Sequence, residues 1–483
     1  MSDEALEALC PLDGRYRSRT AALRAYFSEA ALIKYRVRVE VEYLLALSEA
    51  TGLEISEDLK LKWRDVYNNF RGAKRCKELE ATLNHDVKAV EYYLKEEYEA
   101  LGLPAEGLEL IHFGLTSQDV NHVAQPLAVA ECVEAVLAPK YHQVLAALKR
   151  KAWDYREVAM LARTHGQPAT PTILGKEFAV FATRLEKCLE DVVASQHTAK
   201  FGGATGLMNA HFVAYPDIDW ARFADKFVTD ASRGKLSRQK YTTQIEHYDG
   251  LAAFCHAVCR ANVVLLDLCK DCWHYVSLGY FKQKVQRGEV GSSAMPHKVN
   301  PIDFENAEGN LGVSNALLEH LARKLPISRL QRDLSDSTAL RTLGVPLGHS
   351  YLALTSLLRG LSKITLNPDL LRQDLDANWA VVAEAIQTIL RKHAYPQPYE
   401  ALKNLTRGHA CTQADFSRFI DTLDIKDHVL KARLNSISPH NYTGRFDASP
   451  FQYHHDDDDG AGGGGVPDQQ QQQQQQSKDA TSY

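Results

Sequence analysis

The sequence predicts an all-α protein, a long central helical bundle with smaller helical domains at its N- and C-terminal ends. Three observations carry this. After Pro139, apolar side chains fall at Tyr141, Val144, Leu145, Leu148, Ala152 and Tyr155, and after Gly175 at Phe178, Phe181, Ala182, Leu185, Cys188, Leu189 and Val192. That is the i, i+3, i+4, i+7 spacing of one buried helix face. From Gly250 to Tyr280 the chain is apolar on most faces, which predicts a helix buried nearly all round, in the middle of a bundle or an oligomer. Few runs alternate with period two, so no substantial sheet is expected.

The domains are expected at 1–110 (N-terminal helical), 111–362 (the long-helix bundle and oligomer core) and 363–453 (C-terminal helical). Residues 454–483, a His/Asp, Gly and Gln tail, hold too few apolar groups to offset the entropy of ordering and are expected to be disordered. The 483 residues are 45% hydrophobic and 24% charged, which suits a soluble protein with a large core. A net charge of −5 argues against nucleic acid or an anionic membrane as the main partner, although a local arginine cluster could still hold a phosphorylated small molecule. The most apolar run, "ANVVLLDLCKDCWHYVSLGY", is interrupted by Asp267, Lys270 and Asp271, so no membrane span is expected. The N-terminus is acidic and has no apolar signal core, which points to the cytoplasm.

Nine cysteines follow no framework spacing. Cys255, Cys259, Cys269 and Cys272 superficially resemble a metal set. On one helix, however, Cys259 and Cys269 would lie about 15 Å apart along the axis, which a zinc ion cannot bridge. They are expected to be reduced core thiols, and no metal site is expected.

Six polar, irregular stretches interrupt the helices. In chain order they are "DGRYR" (Asp13 to Arg17), "NHDVKAVE" (Asn84 to Glu91), "HFGLTSQDVNH" (His112 to His122), "RTHGQPATP" (Arg163 to Pro171), "GSSAMPHKVNP" (Gly291 to Pro301) and "RLQRDLSDSTALR" (Arg329 to Arg341). Each alone has a structural reading. Thr116, Ser117 and Asp119 could form an N-cap with its first-turn carboxylate. His165 could be a loop histidine, and Arg332 to Arg341 a solvated charged face. Six such stretches at the edges of apolar helices are better explained by one site, because bundle sites are assembled from facing helices. The Gly-Ser-Ser run predicts a loop that closes over a ligand. Its amides and Lys298 would stabilise an anion.

The stretch "GSSAMPHKVNP" resembles the signature loop of the fumarase/aspartase superfamily, whose members expel fumarate by β-elimination. With His297 before the lysine, and with "THGQPATP" and "NHDVKAVE", the chain resembles the bacterial-type adenylosuccinate lyases over about residues 10 to 445. "GGATGLMNAH" (Gly202 to His211) and "IEHYD" (Ile245 to Asp249) depart from that pattern. The resemblance implies a homotetramer with shared active sites. It implies succinylated purine nucleotides, adenylosuccinate and SAICAR, as substrates, and no cofactor. Ser292 would be the base that removes the Cβ proton. His165 would be the acid at the leaving nitrogen, with His85 a competing candidate, and Glu305 would orient His165. Lys298 and Asn300 would hold the carboxylate where charge develops. Thr116, Ser117 and Gln244 would grip the succinyl group. Arg15, Tyr16, Arg332, Ser337 and Arg341 would hold phosphate and ribose, because arginine offers forked donors. Asn84, His85, Asp86, Thr164, Asn306 and Thr338 would complete the binding set. Two rival readings are another lyase of the superfamily, such as argininosuccinate lyase, and a non-catalytic structural protein on the same fold.

Overall fold

The computed structural model describes residues 3–284, 295, 297–407 and 411–453. They form two compact units, one of Met1–Ala147 and Val180–Asp374, the other of Leu148–Ala179 and the chain from Leu375 onward.

Helices build the first unit. They include α1 (Glu29–Thr51), α2 (Asp86–Ala100), α3 (Ser117–Cys132), α4 (Asp249–Ser277), α5 (Ile302–Lys324) and α6 (Gly344–Lys363). α1 shows why. Ser28 caps it by accepting the Ala31 N–H at 3.1 Å, Glu29 sits in its first turn, and Gly52 ends it at φ 77°. It carries two apolar stripes. Ile33, Val37, Val41 and Leu44 pack with Trp63 and Tyr98, whereas Tyr35, Val39, Tyr43 and Leu47 pack with Val120, Val123 and Leu127 of α3. A helix with two such stripes must lie between layers.

α4, α5 and α6 pack along one another, and their side-chain partners fix the directions. From α4 to α5, Trp273 meets Glu305 and Asn262 meets Asn315. From α5 to α6, Asp303 meets Arg359, Asn306 meets Ser356 and Asn310 meets His349. Numbers rise on one helix as they fall on the next, so each pair is antiparallel. Asn262 marks the middle. It accepts from Tyr141 Oη at 2.8 Å and donates to Ser350 Oγ at 2.9 Å and Ser314 Oγ at 3.3 Å. A satisfied polar cluster inside an apolar bundle fixes register, because sliding by a turn would strand its donors.

The expected helices after Pro139 and Gly175 are present as Ala138–Asp154 and Leu174–Val193. The first continues α3 through one π-helical turn, Val133–Leu137, beside Pro139, which lacks the N–H a straight helix would use. α4 is covered on one side only within this chain. It buries Phe254, Cys255, Val258, Leu265 and Leu268, yet Val263 is 51% and Trp273 38% exposed, because its neighbours in this chain cover one side. By length and composition α4 could cross a membrane, contrary to the expectation from its charges. Its buried face and the Asn262 cluster make it a core helix. The strands described are two or three residues long and form two-stranded pieces only, as the lack of alternation predicts.

In the second unit, Val382, Ile386 and Leu390 pack with Leu402, Phe416, Ile420, Leu430 and Leu434. The same unit holds the short hairpin of Arg163–Thr164 and Gln167–Pro168.

Candidate active site

In the first unit, the start of α2 holds three of the expected residues. Asn84 ends the preceding helix, Ala73–Leu83, in the left-handed region at φ 50°. His85 caps α2, its Nδ1 accepting the Lys88 N–H at 3.0 Å. A neutral His85 therefore carries its proton on exposed Nε2 and remains a possible donor. Asp86 Oδ2 accepts from Arg36 Nη2 at 2.8 Å and from Arg341 Nη2 at 2.6 Å. Burial pushes the Asp86 carboxyl up, but the two guanidinium groups outweigh it and hold it below its ordinary range. Arg341 also meets Glu29 at 3.1 Å.

Thr116 caps α3 and Ser117 opens it, with Thr116 and Asp119 forming a reciprocal capping box. The Thr116 N–H donates to Asp119 Oδ2 at 2.9 Å. Asp119 Oδ1 accepts from Lys200 Nζ at 2.7 Å, Gly202 N at 2.8 Å and Gly203 N at 3.0 Å. Lys200 Nζ also donates to the Gly203 carbonyl at 2.5 Å. Burial pulls the Lys200 ammonium below its usual range, against Asp119, which holds it up. The glycine loop is thus pinned to the helix start. Gln244 is pinned to the same loop, its Nε2 donating to the Ala204 carbonyl at 3.0 Å.

Asp336 ties the last polar stretch to α3. Its Oδ2 accepts from Tyr248 Oη at 2.8 Å and from Gln118 Nε2 at 3.2 Å. His122 Nδ1 accepts the Glu246 N–H at 2.9 Å, so its Nε2 carries the proton and donates to Tyr248 Oη at 2.8 Å. Burial, then Lys200 and Arg332, keep His122 neutral, well below the ordinary histidine range. Burial also raises the Glu246 carboxyl, which accepts from Thr198 Oγ1 at 2.7 Å. Arg332 Nη2 donates to Ser337 Oγ at 2.9 Å, and Thr338 is exposed on the same helical turn.

Tyr16, flanked by the Arg15 and Arg19 guanidinium groups at 5.8 Å each, accepts from Asn306 Nδ2 at 3.4 Å. Asn306 is held in turn by Ser356 at 2.7 Å. Lys298 is exposed and Asn300 half-buried, just ahead of α5. Exposed Glu305, in the first turn of α5, accepts from Trp273 Nε1 at 3.0 Å.

In the second unit, His165 and Gly166 form the tip of the Arg163–Pro168 hairpin, with Thr164 paired to Gln167. Both tip residues have positive φ, 54° and 74°. That is the two-residue mirror-image turn that suits hairpin twist. Glycine fits there without cost, but an L-residue is strained. Histidine at such a position is a backbone outlier of the kind that collects at functional sites.

Ser292, with the rest of Gly291–Ala294 and Pro296, lies outside the described residues, as does the tail from 454. Sequence reasoning missed Arg36, Asn121, Gln118, His122, Lys200, Tyr248 and Asp336 as members of the polar framework. The signal available was a run of polar residues, Gln118 to His122, where an apolar helix should be most apolar. Eight of the nine cysteines are buried and all are free thiols. Burial pushes Cys255 and Cys269 up to about 12, as inert core thiols require. Among the described residues, no group of three or more His, Cys, Asp or Glu side chains could hold a metal.

Residues 14–314 match a family model described as "Lyase", and residues 328–443 one described as "Adenylosuccinate lyase C-terminal". The chain is 54% identical over 452 residues to the adenylosuccinate lyase of Dictyostelium discoideum, covering 91% of this chain and 97% of that one. It is 45% identical over 451 residues to that of Escherichia coli K12, covering 92% and 98%. Among solved structures it is similar to a fumarate lyase from Mesorhizobium sp. BNC1 (TM-score 0.70, 19% identity, 92% of this chain and 97% of that). A 3-carboxy-cis,cis-muconate lactonizing enzyme from Pseudomonas putida is also similar (TM-score 0.69, 18% identity, 88% and 94%). These two establish the fold alone.

Proposed function

The chain belongs to the adenylosuccinate lyase family of the fumarase/aspartase superfamily, and from that premise we propose how its residues divide the work. It is a carbon–nitrogen lyase that releases fumarate from adenylosuccinate and leaves AMP. By the same chemistry it acts on SAICAR, leaving AICAR.

Ser292 takes the proton from Cβ of the succinyl group. The electron pair moves into the neighbouring carboxylate, where Lys298, Asn300 and the start of α5 offset the added charge. The C–N bond then breaks as His165 gives its proton to the leaving nitrogen. His85, with a proton on exposed Nε2, is the alternative donor at this step. Glu305 orients the acid. Thr116, Ser117 and Gln244 hold the succinyl carboxylates. Arg15, Tyr16, Arg332, Ser337 and Arg341 hold ribose and phosphate, with Asn84, Asp86, Thr164, Asn306 and Thr338 around them. No cofactor is called for, since the reaction moves one proton and one electron pair within the substrate.

The observation that carries this reading is the convergence of Arg341 with Asp86, and of Arg332 with Ser337, on one buried polar framework that also fixes the start of α3. Isolated solvated charges would not need such anchoring. The enzyme is further taken to be a homotetramer. Val263 and Val313, 51% and 46% exposed on the long helices α4 and α5, support this, because subunit contact would cover them. Nine free thiols suit a cytoplasmic location. The test is ultraviolet monitoring of adenylosuccinate with purified protein, alongside argininosuccinate. Turnover of the first alone, abolished in Ser292→Ala with AMP binding retained, is expected. Absence of adenylosuccinate loss would sink the reading.

A further inference from the structure

Arg332 and Arg341 stand at the two ends of one continuous run of polar contacts. Arg341 Nη2 donates to Asp86 Oδ2 at 2.6 Å, and Arg36 Nη2 donates to the same oxygen at 2.8 Å. Arg36 Nε donates to Asn121 Oδ1 at 2.8 Å, and Asn121 Nδ2 to Gln118 Oε1 at 2.6 Å. Gln118 Nε2 donates to Asp336 Oδ2 at 3.2 Å, and Asp336 Oδ1 faces Arg332 Nε at 3.9 Å. The run crosses α1, the start of α2, α3 and the Ser335–Leu340 turn. Its interior is buried: Arg36 is 2% exposed, Gln118 1%, Asn121 7% and Asp336 1%.

We propose that Arg36, Asn121, Gln118 and Asp336 are positioning residues, a single chain of side-chain contacts that sets the separation of Arg332 and Arg341 for the substrate phosphate. Two features favour positioning over simple core satisfaction. The polarity is consistent along the run. Each amide uses its oxygen toward Arg36 and its nitrogen toward Asp336, so charge alternates from guanidinium to carboxylate at both ends. The Arg332 end is also incomplete. Among the described residues, Arg332 Nε and Asp336 Oδ1 have no hydrogen-bond partner although both are buried. A buried carboxylate oxygen is costly to leave unpaired, and here it is aimed at the guanidinium it would steer. Asp336 is held on its other oxygen by Tyr248 as well, which leaves it little freedom to turn away.

This inference rests on the proposed function for the identity of the ligand, and its test separates the two. Asn121→Leu, Gln118→Met and the double variant are compared with wild type for AMP binding, fumarate binding and thermal midpoint. The link predicts AMP affinity about tenfold weaker in each single variant. It also predicts a double variant no worse than the weaker single one, because one broken chain cannot be broken twice. Fumarate affinity stays within twofold. A purely structural role would lower the fraction of binding-competent protein without changing the AMP dissociation constant of the rest. AMP affinity within twofold of wild type in a folded single variant, or equal weakening of AMP and fumarate, overturns the proposal. If Gln118→Met does not fold, Tyr248→Phe removes one of the two bonds to Asp336 and must weaken AMP in the same sense. If wild type does not turn over adenylosuccinate, the functional reading fails by itself. The same variants are then titrated with inorganic phosphate, whose weakened binding supports the chain and whose unchanged binding refutes it.

Discussion

Lys200 and Asp119 form an ion pair at 2.7 Å in which both side chains are 0% exposed. Asp119 takes three backbone N–H groups besides, from Thr116, Gly202 and Gly203. The pair therefore clamps a glycine loop to the start of α3, where the proposed substrate-gripping Thr116 and Ser117 sit.

Removing one partner leaves the other charge buried and unpaired, which costs about 3–5 kcal/mol. Lys200→Met should lower the denaturation midpoint accordingly. The Asp119→Leu/Lys200→Met double variant should lose less than the sum of its singles, since the two groups are in contact. A Lys200→Met cost below about 1 kcal/mol would mean that the clamp carries no charge.

Asp86 gives a pH prediction with a definite sign. Its carboxyl lies below the ordinary 3.8 in the folded protein, since burial is outweighed by Arg36 and Arg341. The unfolded chain then takes up the proton first as pH falls. The stabilisation is complete above about pH 4 and disappears as pH drops from 3.8 toward the folded value. Wild type should therefore be more stable than Asp86→Asn at pH 5, and the gap should narrow by pH 3. A gap of constant size across that range, measured by denaturant midpoints, would exclude this carboxylate as the titrating group.

The helices were legible because their apolar periods are long. The run from Tyr141 to Tyr155 and the run from Phe178 to Val192 fall inside Ala138–Asp154 and Leu174–Val193, give or take one residue. Most of the proposed ligand residues were picked out because they sit in irregular polar stretches, and their roles came from the family resemblance. The framework behind them was not. Gln118, Asn121 and His122 lie in a helix that also buries Val120, Val123, Ala124 and Leu127, and only tertiary partners such as Asp336 and Tyr248 show why they are polar. Lys200 reads as a surface charge beside two glycines, yet a carboxylate 81 positions away holds it in the core. Long-range pairing of this kind leaves no local period to find. The exposure of Val263 was equally hidden, since apolar composition reports that a face will be covered and not by which chain.

His165 sets function against stability. At φ 54° its backbone is strained by roughly 1–2 kcal/mol relative to a glycine that would fit freely. His165→Gly should thus keep or slightly raise the thermal midpoint while turnover falls about 10²–10⁴-fold, the usual cost of losing a general acid. His165→Ala should lose the same activity without relieving the backbone. Turnover of His165→Gly within tenfold of wild type would move the acid role to His85.

The assembly of the site can be tested by mixing damaged subunits. If His165 and Ser292 reach one site from different chains of a tetramer, His165→Ala and Ser292→Ala proteins are each nearly inactive on their own. Dissociating and reassembling them in equal amounts creates sites that draw an intact His165 from one parent and an intact Ser292 from the other. With independent sampling of two contributors in a closed oligomer, about one site in four is whole. Activity should recover to roughly a quarter of wild type and should follow the mixing ratio as the product of the two intact fractions. A site built within one chain gives a different result, because every chain in the mixture carries one defect and no reassembly repairs it. The control is subunit exchange itself, followed by native mass spectrometry of parents that differ in mass. A mixture in which exchange is complete and activity stays at the parental level would show that His165 and Ser292 act within one subunit, and the shared-site reading would have to be given up.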